Sequence, residues 1–177
     1  MKTKMRRLLG LVLAMLLFVV PLWGCGKEKM QGSVNSDIAQ KAQTAGGLTV
    51  HYLDVGQGNA ILLQSEGQNM LIDGGARKSS SFVVSYLEKQ KIEKLDYVLI
   101  SHFDEDHLSG AVGALHKFPV GTLITPDYEA DSNIFQSYKK IAEEKGYQAV
   151  HPKQGQEFSL GSAKFRIISP VSYGHED

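Results

Sequence analysis

The feature that most restricts the fold of this chain is an apolar strand that ends in a cluster of ionisable side chains. The segment LDYVLISH (95–102) is a nearly continuous apolar run, which is typical of a strand buried on both faces. It leads into SHFDEDH (101–107), which places two imidazoles and three carboxylates in six positions. These groups repel one another and lose hydration at a cost unless a cation lies among them. The pattern therefore predicts a metal site at the end of a buried strand, with a solvated acidic turn as the alternative.

The segments around this strand predict an α/β domain, with a mixed sheet and helices packed on one face. Two β-forming runs flank the turn DVGQGN, and a third run ends in a glycine turn, so the first three strands are expected to form a meander. Further along the chain, strands alternate with amphipathic helical patterns. The predicted strands cover 48–53, 60–64, 69–75, 95–102, 121–126 and 147–152, the predicted helices cover 79–91, 108–118 and 132–146, and a final hairpin covers 157–170.

The N-terminal 24 residues have the pattern of an export signal. They carry four basic residues and no acid, followed by an apolar run from Leu8 to Val20 that is shorter than the roughly 20 residues of a membrane span. The run ends at LWGC (22–25), which resembles the lipobox of bacterial lipoproteins. We therefore expect cleavage before Cys25, the only cysteine of the chain, and lipidation of that residue. An ordinary signal peptide or a membrane anchor is the alternative.

Three segments are predicted, namely a lipoprotein signal peptide over 1–24, a flexible polar tether over 25–47 and one domain over 48–177. This organisation implies an exported protein that a lipid anchor holds on the outer face of the cell membrane. The whole chain has 19 basic and 19 acidic residues, so loss of the basic signal leaves a mildly acidic protein. Such a protein has no general attraction for nucleic-acid phosphates, and phosphate binding must come from a local site such as bound metal. The sequence indicates no protein partner.

The spacing within SHFDEDH suits two metal ions. His102 and Asp104 alternate along an extended turn and can face one point, whereas Asp106 and His107 follow where the chain enters a helix at Leu108. Mixed nitrogen and oxygen ligands suit zinc, manganese or iron, and we expect two divalent ions, zinc or manganese. A calcium-binding loop is disfavoured because two histidines suit transition metals better. Two such ions can clamp the attacking and leaving oxygens of a hydrolysed ester.

These residues carry a resemblance to a known family. SHFDEDH resembles the His-x-His-x-Asp-His signature of the metallo-β-lactamase fold, in the variant with Asp in place of the second His. Together with LDVGQGNAILLQ and NMLIDGG, it is similar to the C-terminal domain of the ComEC competence proteins. The resemblance implies an αββα sandwich and a binuclear metallohydrolase. It implies that His102 and Asp104 bind the first metal, that Asp106 and His107 bind the second, and that Asp106 also orients the bridging water.

The resemblance also assigns supporting residues. Asp73 matches a position that orients the metal ligands from behind, and a simple glycine turn is the alternative. Asp54 either holds the loops of the site by hydrogen bonds or caps its own turn. Asn59 stands where related domains carry Asp, so a negative charge is missing while an amide remains to form hydrogen bonds. No residue matches the middle histidine ligand of the family, and Glu105 is expected to face solvent.

The chain stops at SPVSYGHED, whereas members of the family continue into a second half of the sandwich. We therefore expect the domain to be incomplete, comprising the N-terminal half of the fold. The favoured function is hydrolysis of a phosphodiester, in DNA or a nucleotide, by a metal-activated water. Residue chemistry alone leaves lactam, lactone and thioester substrates open. The alternative function is a non-catalytic or degenerate metal-binding module on the cell surface, and a truly truncated domain is expected to be inactive.

Overall fold

The computed structural model describes residues 47–172. The expected signal peptide, the lipidated Cys25 and all but the last residue of the expected tether lie outside the described residues, as do the last five residues of the chain. Between residues 47 and 172, no helix is both long enough and apolar enough to cross a membrane.

Six strands form one mixed sheet, and their order across the sheet is their order along the chain. They are β1 (Leu48–Tyr52), β2 (Ile61–Ser65), β3 (Gln68–Ile72), β4 (Leu95–Leu99), β5 (Val120–Ile124) and β6 (Ala149–Val150). Strand β2 is antiparallel to both β1 and β3, whereas β3 to β6 run parallel to one another. The register places Leu71, Val98 and Leu123 side by side on three neighbouring strands. Strands β1, β3, β4, β5 and β6 therefore all end at the same edge of the sheet.

Three α-helices connect the parallel strands and pack on one face of the sheet. They are α1 (Ser80–Lys89), which follows a 3-10 turn (Arg77–Ser79), α2 (Glu105–Lys117) and α3 (Asn133–Lys145). Helix α2 packs against both α1 and α3. One buried cluster joins apolar side chains of the strands, such as Leu71 and Val98, to those of the helices, such as Leu87, Leu115 and Ile141. This shared core fixes the helices against the sheet.

The opposite face of the sheet is only partly covered. A separate hairpin of β7 (Glu157–Leu160) and β8 (Ala163–Arg166) lies over it. The rings of Phe158 and Phe165 contact the ring of Tyr97 edge-on, with centroids 6.1 and 5.4 Å away. Towards β1 the cover ends, and Val50 and Tyr52 remain 40% and 80% exposed. The sheet therefore presents an apolar strip at its β1 side.

The predicted fold class is confirmed, whereas the boundaries of several elements were wrong. Strands β3 and β4 end at Ile72 and Leu99, each three residues before the predicted end, and the final hairpin ends at Arg166 and not at residue 170. Helix α2 begins at Glu105 and not at Leu108, because acidic side chains in a first helical turn are stabilised by the helix dipole. Strand β6 is shorter than predicted, and Tyr147 belongs to the turn after α3. Its backbone N–H donates to the carbonyl of Ala142, and its hydroxyl accepts from the backbone N–H of Val120.

Candidate metal centre

Three loops meet where β1, β3 and β4 end. Backbone hydrogen bonds join them, since Gly74 N–H donates to His107 C=O at 2.7 Å and Gly75 N–H donates to Asn59 C=O at 2.8 Å. Strands β1 and β3 run in the same direction because each is antiparallel to β2. The sheet topology thus brings together DVGQGN, DGG and SHFDEDH, the three segments that the sequence singled out.

Glycines allow these loops to touch. Gly58 has a φ of +104°, which side chains rarely adopt, and an added Cβ would overlap the backbone carbonyl of Asp106. Gly74 and Gly110 lie back to back, so that a Cβ on either would overlap the backbone of the other residue or its neighbour. The backbone that carries Asp106 and His107 is therefore held directly against the other two loops.

Three of the four predicted metal ligands converge. His102, Asp106 and His107 each offer one ligand atom, and these atoms all lie within 4.8 Å of one another. The imidazole rings of His102 and His107 have centroids 3.9 Å apart. All three residues are half-buried, so water and ions can reach the cluster while the protein restricts the side chains. Such a set of two imidazoles and a carboxylate fits zinc or manganese better than calcium.

Asp104 lies beside this cluster and not within it. Its Oδ2 is 3.7 Å from Nε2 of His102, and its side chain is 75% exposed. It occupies the position before α2 with extended backbone, and its side chain forms no capping hydrogen bond. The predicted pairing of Asp104 with His102 on one metal remains a prediction, because only the distance between the two side chains supports it.

Asp73 connects the donors from behind. It is buried, and its Oδ1 accepts from the backbone N–H of Ser101 at 2.8 Å. Its Oδ2 accepts from Asn59 Nδ2 at 3.2 Å, from the Ser101 hydroxyl at 2.7 Å and from His107 Nδ1 at 2.9 Å. The proton of His107 therefore lies on Nδ1, which leaves the lone pair of Nε2 for a cation. This is the place that the sequence resemblance assigned to Asp73.

Ser101 contacts both Asp73 and His102, and the sequence interpretation missed it. Its hydroxyl donates to Asp73, and its oxygen lies 2.9 Å from Nδ1 of His102. Because the hydroxyl proton is already used, the oxygen accepts from Nδ1–H of His102. Nε2 of His102 is then free for a cation, as in His107. A serine next to a histidine carries no recognisable signal in a single sequence, so this chain of hydrogen bonds could only be found in the structure.

The remaining predicted residues lie around the cluster. Asn59 contacts the site through Asp73, to which its amide donates a hydrogen bond that an ionised aspartate could not donate. Gln57 Nε2 is 3.5 Å from Oδ2 of Asp106. Asp54 is exposed, and its Oδ1 accepts from the backbone N–H of Gly56 at 3.4 Å, which is the geometry of a turn cap. Glu105 is exposed in the first turn of α2.

One tyrosine and one glutamate outside the cluster of His102, Asp106 and His107 have shifted pKa values. Burial raises the pKa of Tyr138, which packs under the loop of Phe103, and a hydrogen bond with Thr125 opposes that shift. A hydrogen bond from Arg166 lowers the pKa of Glu157 on the β7–β8 hairpin.

Known proteins share the sequence pattern and the fold. Recombination protein 2 of Haemophilus influenzae is 31% identical over 126 residues, which are 68% of this chain and 14% of that protein. Competence protein ComA of Neisseria gonorrhoeae is 27% identical over 93 residues, which are 52% of this chain and 13% of that protein. A variant of the flavo di-iron protein from Thermotoga maritima has a TM-score of 0.50 at 17% identity, over 70% of this chain and 34% of that one. The chain spans about a seventh of the length of these two curated relatives.

The predicted resemblance to competence proteins is confirmed at low identity, whereas the signal peptide and the incompleteness of the domain remain predictions. The family model of the metallo-beta-lactamase superfamily matches residues 53–170, which include all three loops of the site. Because that match covers more than half of the chain, and the structure has the mixed sheet and the histidine–aspartate cluster described above, the chain belongs to the metallo-beta-lactamase superfamily.

Proposed function

We propose that this chain is a metal-dependent hydrolase that cleaves a phosphodiester, in DNA or a nucleotide. The observation that carries the proposal is the convergence of His102, Asp106 and His107 at the end of β4. Two bound divalent cations, zinc or manganese, would supply Lewis acidity and lower the pKa of a coordinated water. The protein would contribute the donors, their orientation and the groups around the reacting oxygen.

Each residue of the site has a defined part in this proposal. Asp73 and Ser101 hold the two imidazoles by their Nδ1 atoms, which leaves both Nε2 atoms to bind cations. Asp106 has two oxygens, one of which can bind a cation while the other accepts a hydrogen bond from the attacking water. Gln57, whose amide lies near Oδ2 of Asp106, restricts the rotation of that carboxylate. Asp104 would complete the ligand set through its contact with His102.

The choice of a phosphodiester has two supports. Recombination protein 2 is named for a process that acts on DNA, and it is 31% identical to the chain over 126 residues. The described residues carry no strong positive charge, so phosphate recognition would come from the cations themselves.

We also infer that a lipid anchor holds the domain on the outer face of the cell membrane, because LWGC (22–25) favours lipidation of Cys25. Mass spectrometry of the N-terminal peptide tests that location, and an unmodified cysteine in membrane-free protein would contradict it.

The decisive experiment combines metal analysis with hydrolysis of bis-p-nitrophenyl phosphate by the purified protein. The native chain should bind two zinc or manganese ions and hydrolyse the substrate. In the double variant Asp106→Ala, His107→Ala, metal affinity and hydrolysis should both fall further than the roughly 10- to 100-fold caused by loss of a residue that only hydrogen-bonds to a metal ligand. Asp131→Ala, at an exposed position in the loop before α3, is the matched control and should retain both properties. Hydrolysis that survives in the double variant would disprove the proposal.

One observation favours a second function. Within residues 47–172, three of the four predicted donors converge, and the carboxylate of Asp104 is largely exposed outside the cluster. Three donors suffice to hold one cation, and a single-cation module without turnover is therefore the second candidate. The same metal analysis separates the two functions, since this module would bind one ion per chain and hydrolyse nothing.

A further inference from the structure

A cavity of about 230 Å³ lies beside the loop that carries the metal donors. It opens at the edge where β5 and β6 end. Phe103, which lies between His102 and Asp104 in the sequence, forms part of its wall, together with Tyr128, Asp127, Glu129, Lys139 and His151. We call it the Tyr128 cavity. Phe103 therefore connects the wall of the cavity to the loop that carries His102 and Asp104.

Tyr128 offers a fixed aromatic surface in this cavity. Its hydroxyl oxygen accepts from the backbone N–H of Phe103 at 3.0 Å, and its ring centroid is 4.9 Å from that of Phe103. Both contacts, one of the hydroxyl and one of the ring, are with Phe103, yet Tyr128 is 43% exposed. The other aromatic residues here, Phe103, Phe135 and Tyr138, are buried. Tyr128 is therefore the ring on which a ligand can stack.

Polar groups line the rim of the cavity. Nδ1 of His151 donates to the carbonyl of Thr125 at 3.1 Å, which leaves Nε2 as an acceptor. The nearest carboxylate oxygen, Oδ1 of Asp127, is 3.9 Å from that Nε2. On another side, Nζ of Lys139 donates to Glu129 at 2.8 Å. An aromatic surface bordered by acceptors and a donor suits a planar ring that has hydrogen-bonding groups on its edge.

We propose that the Tyr128 cavity binds a nucleobase of the substrate, which stacks on the ring of Tyr128 while the adjoining phosphate lies at the metal donors. The cavity has room for one base and not for a strand. The proposal rests on the proposed function for the phosphodiester, but binding of the base requires no turnover. Loss of one base–aromatic stack weakens binding about 5- to 150-fold.

Two single-stranded probes test this. Both are fluorescein-labelled hexanucleotides with phosphorothioate linkages, one of deoxyadenosine and one abasic, and they carry the same charge. Fluorescence anisotropy is measured with the full zinc-loaded chain. The native protein should bind the deoxyadenosine probe at least about 5-fold more tightly than the abasic probe. Tyr128→Ala should abolish this difference, whereas Tyr128→Phe, which keeps the ring, should retain it. Tyr52→Ala removes a more exposed tyrosine on β1, the outer strand on the far side of the sheet from β6, and should change nothing.

Equal affinity of the native protein for both probes would overturn the proposal without any variant. A Tyr128→Ala variant that weakens both probes to the same extent would overturn it as well, because the effect would then lie in the fold or the metal loop. Hydrolysis of bis-p-nitrophenyl phosphate in the same preparations separates the two proposals. Base-dependent binding without hydrolysis would support base binding in the Tyr128 cavity and reject the hydrolase function. Hydrolysis without base-dependent binding would support the hydrolase function and reject base binding in the cavity.

Discussion

Oδ2 of Asp73 accepts a hydrogen bond of 2.9 Å from Nδ1 of His107, a residue 34 positions further along the chain. Asp73 has a φ of 55°, a left-handed conformation that Asp and Asn tolerate better than most residues. The turn after β3 is therefore shaped to aim this carboxylate at α2. The bond fixes which nitrogen of His107 is available to a cation.

Asp73→Asn should weaken the affinity for zinc about 10- to 100-fold, because an amide oxygen is a weaker acceptor and its NH₂ group opposes the donors around it. Asparagine keeps the left-handed backbone, so the fold should persist. Isothermal titration with zinc measures the change. Asp54→Asn is the matched control, since Asp54 is exposed and accepts only from its own turn. Equal affinities of the native protein and Asp73→Asn would contradict the orienting role.

Ser101→Ala should also weaken zinc binding, by about 10-fold, because His102 loses the oxygen that fixes its Nδ1 proton. Ser109→Ala is the control. The Ser109 hydroxyl is buried and has no hydrogen-bond partner among residues 47–172, so its removal should leave zinc affinity unchanged and stability equal or higher. Thermal melting and zinc titration of both variants test the pair. If Ser109→Ala lost more zinc affinity than Ser101→Ala, the proposed role of Ser101 in orienting His102 would be contradicted.

Gly58→Ala should destabilise the fold more than Gly67→Ala. Both glycines have positive φ, which costs an alanine roughly 1–2 kcal/mol. Only at Gly58 would the added Cβ also overlap a neighbouring backbone, that of Asp106, whereas nothing lies within 4 Å of it at Gly67. Urea unfolding gives the two free energies. Equal urea midpoints would show that the loop of Gly58 does not press on the metal ligands.

Removal of metal should lower stability. A ligand present at 100 times its dissociation constant stabilises the native state by about 2.7 kcal/mol, and a chelator abolishes that contribution. Melting curves with zinc and with EDTA measure the difference. The variant Asp106→Ala, His107→Ala should melt at the same temperature in both solutions. If the native protein also melted at the same temperature with zinc and with EDTA, a bound cation that stabilises the fold would be excluded.

Glu157→Gln should destabilise the β7–β8 hairpin at neutral pH and have no effect in acid. A hydrogen bond from Arg166 and its charge lower the pKa of Glu157. The folded protein therefore holds this proton less tightly than the unfolded chain. The stabilisation is present above the unfolded pKa, ordinarily about 4.3, and is lost as pH falls through the folded pKa. Melting temperatures of both proteins from pH 7 down to pH 2 test this, with Glu143→Gln, an exposed helical change, as control. A difference that does not shrink as the pH falls would show that packing and not charge is responsible.

The sequence was sufficient for those parts of the fold that depend on local pattern. The apolar run before Ser101 predicted a buried strand, and Ser132 and Gly146 marked the ends of α3, where the structure has a side-chain cap and a left-handed residue. The start of α2 was missed because carboxylates and imidazoles in a first turn resemble a loop. The contact between Ser101 and Asp73 joins residues 28 positions apart, and no local pattern encodes it. Tyr128 was missed for the same reason, since only the topology brings it to Phe103.

The back-to-back contact of Gly74 and Gly110 has a thermodynamic consequence for the metal centre. Helix α2 cannot slide or turn relative to β3, because the two backbones already touch and exchange hydrogen bonds between Gly110 and Gly75 and between Gly74 and His107. The donors on α2 are thus preorganised by the packing of the domain. A cation that binds there would spend little of its binding energy on ordering the chain, and more of that energy would remain as affinity.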